Sequence, residues 1–238
     1  MTGDGWTQAV RRQLGLGRVL PLGGARDGTW VTESAVDGAL RHAAQRVAGV
    51  RLGTVRVAPA DPGGSYVAAV PPPPSALPPG PLRITADFSA AVQPLPAAAD
   101  RLRAALHEAA DRLGLAVDEV DLRVTALLDE GVGDADVRPK TPRTPAGQAP
   151  PGDGDEARAG RAALAVPGVT RLTGALGPAV HLEERRPAAG ALPRRHACVE
   201  LATDRGHRAL DVALAVRAAV SEALPGRPSV AVLITAVE

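Results

Sequence analysis

The sequence predicts an α+β fold built from two tandem α-β-β-α-β units, each a small three-stranded sheet with helices packed on one face, joined by a Pro/Gly-rich linker. Three observations carry this expectation. The stretch Val120-Asp121-Leu122-Arg123-Val124-Thr125-Ala126-Leu127 has an echo at Val230-Ala231-Val232-Leu233-Ile234-Thr235-Ala236-Val237, and both fit V-x-[VL]-x-[VI]-T-A-[VL]. Each copy follows a long helical pattern of Ala with Leu or Val, so one supersecondary unit reads as written twice. Between the copies, residues 131–155 are rich in Gly, Asp, Thr and Pro and offer little to bury, which predicts a disordered linker.

Taken in order, residues 1–27 form an N-terminal helix and connector: Trp6, Val10 and Leu14 make one apolar stripe, with Arg11 and Arg12 off it. The first unit spans 28–130. Thr32 or Ser34 is placed to cap a helix carrying Val36, Leu40, Ala43, Ala44 and Val47, which Gly49 stops. A strand follows around Val55 to Ala58, then a Pro-rich segment at 59–81 that reads as a stiff surface loop with a short strand from Tyr66 to Val70. Leu82 to Phe88 alternates as a strand. Asp100 to Leu113 is a helix ended by Gly114, and the strand at 120–127 closes the unit with Val120, Leu122 and Val124 on a buried face. The second unit, 156–238, repeats the order with a helix from Glu156, Pro167-Gly168-Val169 matching Ala48-Gly49-Val50, strands at 180–185 and 197–202, a helix at 207–224 and the terminal strand.

Aromatic residues make up only 2% of the 238 residues. Each core must then be filled by Val, Leu and Ala, which contribute less area apiece, so docking of the units is expected to matter for stability. The net charge of +1 gives no general pull toward polyanions. Lys140 is the single lysine and Cys198 the single cysteine, so no intramolecular disulfide can form. The first residues lack the basic-then-apolar layout of a signal peptide and no apolar run reaches the length of a membrane span, so a cytoplasmic location is expected.

No catalytic, cofactor-binding or metal-binding residue is assigned. His196 and Cys198 point to one face of a strand, and His207 opens the next helix, a set that could supply three zinc-type ligands, but the paired spacing of a structural zinc site is missing. The candidate contact residues are Ala231, Leu233 and Val237 of the terminal strand, and the basic residues Arg11, Arg12, Arg194 and Arg195. Ala231 and Leu233 add apolar groups where Asp121 and Arg123 stand in the first copy, which predicts that this second face is covered by the first unit or by another chain.

The order α-β-β-α-β, with Gly28, Val31, Thr32 and Val47-Ala48-Gly49-Val50 in the first unit and Val166-Pro167-Gly168-Val169, Val199 to Leu201 and Val230 to Val237 in the second, resembles the alkaline shock protein family, also called the envelope stress response family. The resemblance covers about two thirds of the chain, as two copies where the usual member has one. It implies a non-catalytic scaffold acting through protein–protein contacts near the cytoplasmic membrane face, held there by a separate anchored partner, with self-association as a further route and nucleic acid not expected. The alternative reading is an Arg-mediated binder of nucleic acid or an anionic surface.

Overall fold

The computed structural model describes residues 15–64, 66–91, 94–128, 150–185 and 194–238. The helix expected at 6–14, with Arg11 and Arg12, and most of the linker lie outside the described residues. The fold is mixed α+β, with four helices and two sheets among the described residues.

The smaller sheet has the order β3 (Val50–Pro59), β4 (Leu82–Ala91), β5 (Val117–Leu128), with β3 and β4 antiparallel and β4 and β5 parallel. Helices α1 (Glu33–Ala44) and α2 (Leu95–Leu113) pack with it. Thr32 caps α1 as its position predicts, its hydroxyl accepting from the Ala35 amide. Gly114 ends α2 in the left-handed conformation, at φ 90°.

The larger sheet has six strands rather than three. Its order is β1 (Val19–Leu22), β2 (Thr29–Thr32), β9 (Ser229–Val237), β8 (Arg194–Thr203), β6 (Val169–Leu172), with β7 (Val180–Arg185) also pairing β8. Helices α3 (Asp155–Leu164) and α4 (Ala209–Ala223) pack with it. Two causes give the extra strands. β6 and β7 lie end to end along one edge of β8, divided by the loop 173–179. The hairpin β1–β2 then adds to the other edge, β2 running parallel to β9 with Trp30 beside Leu233 and Val31 beside Ile234. The four-residue strands β1, β2 and β6 were not expected, being too short to show a period.

The echoed strands behave alike in detail. In β5 the register skips at Thr125, between Phe88↔Val124 and Ser89↔Ala126, and the Thr125 hydroxyl donates to the Phe88 carbonyl at 3.3 Å. In β9 it skips at Thr235, between Leu201↔Ile234 and Ala202↔Ala236, and Thr235 donates to the Leu201 carbonyl at 3.4 Å. The shared Thr is thus a bulge residue whose hydroxyl bonds across the ladder. Gly49 and Gly168, both at positive φ, each accept from the residue that ends or follows the paired strand, Ala91 at 2.8 Å and Asp204 at 3.0 Å. On the other edge, β3 is interrupted by Gly53 and Thr54, between Leu52↔Phe88 and Val55↔Ala86. The loop 173–179 stands at the same place, between Leu172↔Leu201 and Val180↔Val199.

One main core runs through both sheets, from Ile84, Phe88, Leu102 and Leu106 to Leu201, Val216, Val232 and Ile234. Small side chains thereby share a single interior, which raises the buried fraction above what either half reaches alone. The join is tight where α2 ends: the Gly23 amide donates to the Gly114 carbonyl at 2.9 Å, Arg208 Nε to the Asp111 carbonyl at 3.1 Å, and a Cβ on Gly114 would lie 2.3 Å from the Leu210 Cβ. Replacing Gly114 with Ala therefore combines left-handed strain with overpacking, and is expected to destabilise by about 2–4 kcal/mol in urea titration. Gly38→Ala, in an open position inside α1, should stabilise by about 0.5–1 kcal/mol and serves as the control.

Candidate functional site

The outer face of the larger sheet, away from the helices, is lined by alternating residues: Trp30 of β2, Ala231 and Leu233 of β9, and His196, Cys198 and Glu200 of β8. Ala231 is 1% and Leu233 3% exposed. They are packed, with Trp30, by Val19 and Val70 and by the flanking Ala68, Ala76 and Leu176. Of the two coverings that the apolar face predicted, the intramolecular one is present. The Pro-rich segment crosses from the first half to make it, Ala69 donating to the Ala25 carbonyl at 2.9 Å and Leu77 to the Val19 carbonyl at 2.8 Å. It is therefore a packed cover and not a free surface loop, and residues 66–70 form no strand. Val237 is half-buried beside the main core.

Glu200, in the middle of the apolar run Ala197-Cys198-Val199-Glu200-Leu201-Ala202, is the residue that sequence reasoning missed; a lone carboxylate in such a run was its signal. It is 8% exposed and accepts from the amides of Ala175 at 2.6 Å and Leu176 at 3.1 Å, holding the 173–179 loop over the sheet. Burial pushes its carboxyl up to about 7 against the lowering effect of those amides. His196 is buried, its Nδ1 2.8 Å from Ser229 Oγ and its Nε2 without a partner, and burial lowers its pKa. The Cys198 thiol is pushed up to about 11 by burial, which keeps it protonated and unreactive. His207 does not join His196 and Cys198: it is paired with Asp204 at 2.8 Å on the exposed turn before α4. Among the described residues no three His, Cys, Asp or Glu side chains are grouped as a metal would need.

A cleft of about 260 Å³ lies where that turn meets the end of α2, lined by Glu108, Asp111, Arg112, Arg205, Gly206, His207 and Arg208. Two of its arginines are engaged locally, Arg112 with Glu108 at 3.1 Å and Arg208 with Asp211 at 3.1 Å. Arg194 and Arg195, expected as a basic pair, divide between the two faces of β8. Arg185 and Arg194 are cross-strand neighbours, Arg185 pairing with Glu183, whereas Arg195 turns to the helix side and pairs with Asp155 at 2.6 Å.

The smaller sheet presents the contrasting surface. Its outer face is wet and charged: Arg83 meets Glu119 at 2.6 Å and Asp121 at 3.7 Å, and Arg123 meets Asp87 at 2.8 Å. Such exposed pairs are screened by water, so they solubilise the face more than they hold it. β5 is an edge strand, pairing only with β4 among the described strands. On its helix side Val120 is buried, but Val124 is 39% and Leu127 59% exposed. The face expected to be buried is thus buried only in its first half.

Among the described residues no helix is long and apolar enough to cross a membrane. Comparison of the chain with protein-family models and with curated proteins returns no match.

A raised carboxyl makes the folded state hold a proton that the unfolded state has released. Glu200 therefore contributes stability that is full below about 4.5 and lost as pH rises through about 7. His196 acts oppositely, its cost growing as pH falls below its ordinary value of 6.5. The stability difference between wild type and Glu200→Gln isolates the carboxylate. It should shift against wild type by up to about 3 kcal/mol between pH 5 and pH 8 in urea titrations, and a flat difference would refute the assignment.

Proposed function

We propose that the chain is a tandem α+β interaction protein, similar in plan to the alkaline shock family, working through the open edge and face of its smaller sheet and not through catalysis. The duplicated plan is supported by the paired bulges at Thr125 and Thr235 with their matching hydroxyl bonds, by Gly49 and Gly168, and by interruptions at equivalent points of β3 and β6/β7. The non-catalytic reading is supported by what the interior titratable groups do: Glu200 binds loop amides, His196 meets Ser229, and Cys198 stays a thiol.

The observation that carries the reading is a difference between the two copies. At Val232 to Ile234 the edge of β9 is occupied by β2. At the equivalent Leu122 to Val124 no described strand pairs with β5, and Val124 and Leu127 stand exposed beside it. An edge strand with apolar neighbours is a template for strand addition by a partner. In keeping with the resemblance, the assembly so formed would work near the cytoplasmic membrane face, held there by a separate anchored protein.

A photo-crosslinking residue placed at Leu127 tests this in cells. It should give a discrete protein adduct, and the same residue at Val67, 84% exposed on the opposite sheet's cover, should not. Equal labelling from both positions, or none from either, would remove the support.

A further inference from the structure

We infer that the partner for the β5 edge is the β5 strand of a second copy of this chain, joined antiparallel about a two-fold axis through Leu122. The inference rests on the interaction reading and names its partner. Three constraints select this arrangement. First, β5 is regular only from Glu119 to Val124, between register skips near Asp118 and at Thr125, so the pairing must centre within that run. Second, directly opposed residues of an antiparallel pair face the same side of the sheet, so the axis must pass through a residue and not between two. Third, the charges choose which residue. Centring on Asp121 sets Asp121 against itself, and centring on Arg123 sets Arg123 against itself. Centring on Leu122 sets Asp121 of each copy against Arg123 of the other on the wet face, and Val120 against Val124 on the helix side.

The backbone agrees. Arg103 Nε reaches the Val120 carbonyl at 3.4 Å, which marks the Val120 carbonyl, and by alternation those of Leu122 and Val124, as turned toward the edge that no described strand pairs. In the Leu122-centred pairing these residues are the hydrogen-bonded pairs. Asp121 and Arg123 then fall at the non-hydrogen-bonded positions, where side chains approach most closely. Arg103 must give up its long bond, and Asp121 and Arg123 must share their present partners Arg83 and Asp87. The contact is a single strand pair flanked by Val124 and Leu127, so it falls below the area of a standard interface, and a Kd of about 1–100 µM is expected.

Sedimentation analysis of the full chain, with Asp121→Arg and Arg123→Asp variants, tests the pairing. Wild type should dimerise. Each variant alone should bind itself about tenfold or more weakly, because like charges then face each other at both sites. An equimolar mixture of the two should regain the dimer, since every opposed pair is again unlike. A general loss of folding cannot produce that recovery, and circular dichroism checks the variants separately. Wild type that stays monomeric at about 100 µM, a dimer indifferent to both changes, or a mixture that does not recover would each overturn the inference. If wild type is monomeric while the residue at Leu127 crosslinks a different protein, self-pairing falls and the interaction reading stands. A monomer whose Leu127 crosslinks only to its own chain, or to nothing, defeats both.

Discussion

The structure depends on the parallel pairing of β2 with β9, which joins Thr29–Val31 to Val232–Ile234. Each residue of β2 serves a different layer. Val31 enters the main core, Trp30 anchors the outer cluster, and the Thr32 hydroxyl donates to the Thr235 carbonyl at 3.2 Å while also capping α1. Arg217 of α4 reinforces the join by donating to the Val230 carbonyl at 2.9 Å and to the carbonyls of Arg26 and Asp27 in the β1–β2 turn. The pairing therefore fixes where α1 starts, and α1 in turn touches both sheets. It also sets the platform on which the 68–76 segment lies.

The two sheets, alike in the bulges at Thr125 and Thr235, differ in the surface they present. Asp87 and Glu200 precede the equivalent residues Phe88 and Leu201. Asp87 pairs with Arg123 on an open face, whereas Glu200 points beneath a loop and captures its amides. At the neighbouring position Arg123 remains wet, and Leu233 is roofed by Val70 and Leu176. A two-residue bulge in one half corresponds to a seven-residue loop in the other, and that loop supplies part of the roof. One sheet face is thus covered from within the chain, and the other is left charged.

The longer elements were legible in the sequence because their periods are strong. β4, β5, β7, β8, β9 and the helices α2, α3 and α4 fall within a few residues of their expected spans, apart from α2, which begins five residues earlier with Pro96 in its first turn. The apolar substitution at Ala231 and Leu233 correctly signalled a covered face. The identity of the cover was not legible, since it depends on a proline-rich segment folding across from the other half, a long-range contact with no local period. β1 and β2 were lost for the same reason. Trp30 and Val31 look like the approach to a helix until β9, some 200 residues later, supplies their ladder. The open half of β5 was equally invisible, because Val124 and Leu127 have the pattern of buried residues and only the reach of α2 decides otherwise.

The closure of β2 on β9 has a consequence for the order in which the chain can assemble. The smaller sheet and its helices are complete once residue 128 has been made, but the larger sheet cannot close until residues 229–237 exist. During synthesis the β1–β2 hairpin must therefore wait through most of the chain with Trp30 lacking its β9 neighbours and one strand edge unfilled. Pairings of such high sequence separation are slow to form and vulnerable meanwhile to wrong partners. The early half also carries β5, whose outer edge no described strand pairs. The arrival of the last strand fills the edge of β2, whereas no described strand pairs with the outer edge of β5.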